Sequence, residues 1–174
     1  FLLSNLKHAP PPPISGWRGR TPPKGKSKHP VTYVNFSDAQ AYARWAKKRL
    51  PTAEEWEKAA RYLKGAKWPW GDDFPPPGSD EFFANSMEYW QRYKSRVPGT
   101  TKVGFFPKGK GDLDIFDMAG NASEWVEDFY DQFFYRESPI MNPTGPEKKK
   151  NHVFRGGSWD ARKVDVRTTK RFAA

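Results

Sequence analysis

Two short runs hold the residues whose types and spacing could do chemistry: DMAGNASEW at residues 117–125 and RGGSW at residues 155–159. Each sets glycine beside tryptophan and an acid or an arginine, a composition suited to tight backbone packed under large rings. In the first, Asp117 and Glu124 are hard oxygen donors flanking a turn at Gly120 and Asn121 whose carbonyls can face inward. That is the chemistry of a calcium-organised loop. The spacing is not that of an EF-hand, and the same residues would also make a capped turn with solvated acids. Thiol chemistry is closed, because the chain has no cysteine, and with it go disulfides and thiolate metal ligands. The histidines, His8, His29 and His152, show no short ligand-like spacing, so no iron centre is expected from them alone. His29, ahead of Pro30, reads as a strand-entry residue and His152 as a loop residue beside a strand. The Lys-Gly run at residues 108–112 lacks the strand–loop–helix setting and the hydroxyl residue of a phosphate loop.

These runs need a scaffold, and composition says which kind. With 174 residues, 36% hydrophobic and 16% aromatic, the chain can bury one core, much of it in eight tryptophans and thirteen phenylalanines. Seventeen prolines and fourteen glycines imply a loop-rich α+β globule in which short strands and a few helices are held by rings. Residues 1–29 read as a proline-rich, basic arm: an apolar opening that could end a helix, then a polyproline-like run from Pro10 to Pro13, with Trp17 pinning the arm to the body. The domain proper is placed at residues 30–174. Residues 31–36 alternate as a strand would, and Ser37 with Gln40 forms a capping box for a helix with Ala39, Tyr42, Ala43 and Ala46 on one face. Thr52 with Glu55 starts a second helix, striped by Trp56, Ala59, Ala60 and Leu63 and closed by Gly65. Trp45 and Trp56 are the heaviest expected core members of the pair. The KWPWGDDF run at residues 67–74 reads as a locked loop, residues 103–106 as a short strand, and Val153 with Phe154 as a strand entering the glycine pair. No run is apolar enough for long enough to cross a bilayer as a helix.

The net charge of +10 is unevenly spread: residues 1–50 hold ten Lys or Arg against one acid, whereas residues 71–135 hold twelve acids against six bases. Such polarity suits an acidic protein, a further subunit or an anionic surface, and equally a solvated face or internal pairing. Nucleic acid is not expected, since neither a helix of ordered arginines nor an RNA-binding aromatic signature is present.

Four runs, HPVTYVNFSDAQAYARWAKKRLPTAEEWEKAAR, KWPWGD, DIFDMAGNASEWVED and VFRGGSWDARKVDVRTTKR, span most of residues 30–171. Their order and spacing resemble the sulfatase-modifying factor family, also called the formylglycine-generating enzyme domain. The resemblance implies an irregular α+β fold related to C-type lectins, with small sheets and internal calcium sites. One calcium would be held by the Asp117 side chain, the carbonyls of Gly120 and Ala122 and the Glu124 carboxylate. A second site would begin at Asn85 and the carbonyl of Ser86, but its acid is missing, since residues 93–99 contain no Asp or Glu. The family oxidase carries two cysteines that bind copper and engage the substrate; the matching positions are Ala161 and Val166, so that oxidation, and copper, are not expected. The family's substrate groove would correspond to Trp159, Asp160, Arg162, Lys163, Asp165 and Arg167, a tryptophan-arginine surface suited to a partner; a buried Trp159 with structural Arg167 and Arg171 is an equal alternative. These implications point to a non-catalytic recognition or assembly domain, at the cell surface or otherwise outside the cytoplasm. The alternatives are an accessory domain of an oxygenase-type enzyme and a structural subunit of a bacterial surface or secretion assembly. Family domains also extend further at both ends, so this chain is expected to be incomplete.

Overall fold

The computed structural model describes residues 9–12, 16–93, 98–147 and 149–174. The apolar opening segment, His8 and Pro13 therefore lie outside the described residues. Among the described residues the elements are three α-helices, α1 (Phe36–Trp45), α2 (Ala53–Arg61) and α3 (Met87–Arg92), and three strands, β1 (Glu124–Phe129), β2 (His152–Arg155) and β3 (Phe172–Ala173). Short 3-10 turns lie at Pro107–Gly109 and Phe134–Arg136. The strands form one antiparallel sheet in the order β1-β2-β3. Long loops join everything else, as the proline and glycine content predicted.

The helices start where side chains can cap them. Thr52 accepts from the Glu55 N–H at 3.2 Å while Glu55 accepts from the Thr52 N–H at 2.9 Å, the expected box. On α1 the box lies earlier than predicted, between Asn35 and Asp38, at 2.8 and 3.1 Å. Asparagine caps as well as serine, and an aspartate at the third position closes the box. The predicted strand at 31–36 is therefore absent, and Phe36 opens the helix, its ring stacked 3.4 Å from His152. His152 is the first residue of β2, held between Phe36 and Phe129 rather than in a loop. Nor is there a strand at 103–106: Val103 donates to the Lys28 carbonyl at 2.9 Å and the chain turns at Gly104.

Two core expectations fail for one reason, the geometry of helix ends. Tyr62 takes φ 43°, which stops α2 before Gly65 and throws Leu63 outward, 81% exposed. Trp45, on the last turn of α1, stays half-exposed, whereas Trp56 is buried at 2%. The arm is strapped down: His29 Nδ1 meets Thr100 Oγ1 at 3.0 Å, Lys26 donates to the Thr100 carbonyl, and Trp17 is half-buried. His29 is thus a strap and not a strand entry.

Two apolar clusters form the interior. Trp56 centres one with Ala53, Ala60, Met118, Val126 and Val153. Trp68 centres the other with Ala84, Ala119 and Val166, and the rings of the locked loop, Trp70 and Phe74, pack on it. Arg155, at the end of β2, has no exposed surface. Its Nη2 donates to Glu57 Oε2 and to the Thr168 carbonyl, each at 2.7 Å; its Nη1 donates to the carbonyls of Lys170 at 2.9 Å and Thr169 at 3.3 Å. Its guanidinium also lies 4.8 Å from the Trp56 ring. One side chain thereby ties strand, helix and C-terminal loop together. Removing one member of such a pair strands the other, so Glu57→Leu is expected to lower the unfolding free energy by about 3–5 kcal/mol. Losing the α2 cap in Thr52→Ala should cost only about 1 kcal/mol; urea titrations of both variants check the ratio.

Candidate functional site

The loop ahead of β1 is built from inside. Gly120, at φ 79°, donates to the Gly156 carbonyl at 2.8 Å and lies so close to the Asn85 carbonyl that any Cβ would strike it. Asn121 donates to that same Asn85 carbonyl at 2.8 Å. The two asparagine side chains are buried at 1% and bonded to each other at 3.1 Å, and Asn121 Oδ1 also accepts from the Thr101 N–H at 2.9 Å. Trp90 donates to Asn85 Oδ1 at 2.7 Å, and Tyr89 donates to the Ser86 carbonyl. The Asn85 side-chain oxygen and the Ser86 carbonyl thus each accept from a protein donor.

This framework fixes Asp117 and Glu124 on one side of the loop. Asp117, at φ 60°, accepts from the Gly104 N–H at 2.8 Å; Glu124 accepts from Trp56 Nε1 at 2.7 Å. Burial raises the pKa of Asp117. Burial, with the Asp117 charge adding to it, pushes Glu124 up to about 7. Two hard carboxylates that feel one another and are penalised for their charge are chemically fit for a cation. Among the described residues there is no group of three or more His, Asp or Glu with metal-holding geometry. A cation here would need backbone carbonyls as well, and those that the resemblance implies are Gly120 and Ala122.

The segment after the glycine pair is anchored from beneath. Trp68 donates to the Lys163 carbonyl at 2.9 Å, Lys163 donates to Glu88 at 2.8 Å, and Met87 donates to the Ala161 carbonyl at 2.9 Å. Gly157, at φ 72°, brings Ala161 and Val166 together: a Cβ there would press on both, at 3.1 and 3.0 Å. Val166 is fully buried, and Ala161 packs on the Trp68 cluster. Asp160, Arg162, Lys163 and Arg167 face solvent, whereas Trp159 and Asp165 are half-buried, Asp165 beside Lys170 at 3.4 Å. The predicted partner residues therefore divide into an exposed set and two half-sunk members. Arg171 lies over the Tyr135 ring at 4.0 Å and donates to the Asp131 carbonyl, a structural position.

Sequence reading missed a buried acidic pair. Asp128 accepts from the Ala53 N–H, the first of α2, at 2.7 Å. Its other oxygen and both oxygens of Glu54 are buried and find no hydrogen-bond partner among the described residues. Burial raises both pKa values; the Asp128 charge adds to the rise at Glu54, and the Glu127 charge to that at Asp128. In the sequence, residues 126–135 alternate acids and rings, and there a solvated acid reads the same as a buried one. A carboxyl raised on folding favours the folded state while protonated and withdraws that support as pH rises from its unfolded value of 4.5 through its folded value. Unfolding free energies of Glu54→Gln and the parent should therefore draw apart with pH, the parent losing more stability between pH 4.5 and neutrality; urea titrations across that range measure it.

The sulfatase-modifying factor enzyme 1-like domain matches residues 12–174. Formylglycine-generating enzyme of Streptomyces coelicolor is 39% identical over 145 residues, 78% of this chain and 43% of that protein. Inactive C-alpha-formylglycine-generating enzyme 2 of Bos taurus is 38% identical over 113 residues, 60% of this chain and 35% of that one. The chain thus spans less than half the length of these relatives. Among solved structures, PvdO from Pseudomonas aeruginosa shares the fold, with a TM-score of 0.68 at 24% identity over 90% of this chain and 59% of PvdO. By match and by fold, the chain belongs to the sulfatase-modifying factor enzyme 1-like family.

Proposed function

We propose that this chain is a non-catalytic recognition or assembly domain that binds a protein partner through the segment following its Gly-Gly-Ser-Trp run. The observation that carries the reading is the meeting of Ala161 and Val166 across Gly157. These are the positions where the resemblance puts two thiols, and here methyl-bearing side chains fill them against the Trp68 cluster. Neither side chain can bind copper or form a covalent bond to a substrate. What remains is a surface held from below by Trp68 and Glu88, with Arg162, Lys163 and Arg167 exposed around a half-buried tryptophan. A surface already ordered loses little freedom on binding, and tryptophan with arginine is the pair that most often carries interface energy. A relative named as inactive supports the same direction.

The loop is proposed to hold calcium, through the side chains of Asp117 and Glu124 and the carbonyls of Gly120 and Ala122. The ion would neutralise two carboxylates that burial otherwise penalises, and so brace the backbone that meets Gly156.

Saturating calcium, relative to chelator, is expected to raise the melting temperature by roughly 5 °C. Asp117→Asn and Glu124→Gln should each abolish most of that rise, and magnesium should not reproduce it; equal shifts for both ions would sink the calcium assignment. For the binding surface, a photo-crosslinker placed at Arg162 or Lys163 in the producing cells should trap a discrete protein that one at Lys64 does not. The reading fails if no adduct forms, or if the purified chain with copper and oxygen converts a cysteine peptide into an aldehyde detectable with hydrazide.

A further inference from the structure

A groove of about 740 Å³ runs between the arm and α1, and no residue of the 159–167 segment lines it. Its floor is Ala39, Ala43 and Ala46, and its walls include Trp17, Val31 and Val34. The predicted apolar face of α1 is therefore real, but its small side chains leave space where a core helix would be filled. That volume and apolar lining fall in the range of sites that take a ligand. Two large side chains of that lining, Val31 and Tyr42, are 51% and 52% exposed. An open apolar patch of this kind is uncommon on a surface that binds nothing.

Charge selects the occupant. At the mouth stand Arg20, Lys48 and Arg49 against Asp38 alone. Asp38 is committed to the α1 capping box, and Arg49 is held by Glu55 at 2.6 and 2.7 Å. In sequence, residues 16–50 carry nine bases and one acid. A second copy laid face to face would set these cations against their own images, which disfavours a symmetric pair. A bilayer is flat and cannot reach a concave alanine floor.

We propose that the α1 groove is a second binding site, which takes an acidic peptide segment bearing aliphatic side chains. The aliphatic groups would lie on the alanine floor between Trp17 and Val34, and a carboxylate would reach Lys48 at the rim.

The probe is a fluorescent peptide of leucines spaced by glutamates, followed by anisotropy with the full chain. It should bind, and binding should weaken with salt. Lys48→Glu at the rim and Ala39→Trp on the floor should each weaken it about 10-fold. Arg162→Glu, in the other proposed surface, and Lys108→Glu, remote from both, should leave it unchanged. Thermal melts identify any variant that fails to fold, and Lys48→Glu alters only an exposed side chain. The proposal is overturned if a leucine-lysine peptide binds as tightly, or if phosphatidylserine vesicles bind where the acidic peptide does not. It is also overturned if sedimentation shows self-association through Lys48 that the peptide does not compete away.

Discussion

A guanidinium with no exposed surface must find its partners within the protein, and Arg155 does so at both Nη atoms, though not at Nε, by collecting parts of the chain that otherwise share no element. Its partners are the carboxylate of Glu57 on α2 and three successive carbonyls, Thr168, Thr169 and Lys170, with Trp56 beneath. The next two residues are the glycine pair. Gly156 accepts from Gly120 and so joins the sheet to the acidic loop, and Gly157 seats Ala161 and Val166. In a fold with little regular structure, charged and amide side chains do what a larger sheet does elsewhere.

The same logic accounts for the buried asparagines. Loops near the core bring backbone donors and acceptors that need partners. Asn85 and Asn121 supply them by binding one another, Trp90, the Gly99 carbonyl and the Thr101 N–H. Each was legible as a residue, but neither as half of a pair, because 36 positions separate them. The outcome is a rigid frame around Asp117 and Glu124. Rigidity lets two carboxylates remain near each other despite the cost of their charge.

Function in this family cannot be carried over whole, because the fold and its chemistry separate at a few side chains. The backbone around Gly157 still brings positions 161 and 166 together, yet alanine and valine make that meeting place part of the core. The surface outside it keeps its charged residues on a fixed support. In the reading proposed above that surface serves recognition, and the α1 groove would extend the same idea to a second face of the molecule.

By itself the sequence determined the family, the α+β class, the Thr52–Glu55 cap, the burial of Trp56 and the locked tryptophan loop, because each rests on local composition, short spacing or a motif. It also placed Asp117 and Glu124 as candidate ligands and showed that no thiol was available. It did not place the start of α1, the exposure of Trp45 and Leu63, or the loss of strands at 31–36 and 103–106. Those depend on which neighbours reach a segment, as when Lys28 claims Val103 or His152 claims Phe36. Only the tertiary structure decided that Arg155, Asp128 and the carboxylate oxygens of Glu54 are buried and that Ala161 and Val166 both meet Gly157. A charge reads the same in a sequence whether water or a protein interior surrounds it, and long-range packing alone makes the difference.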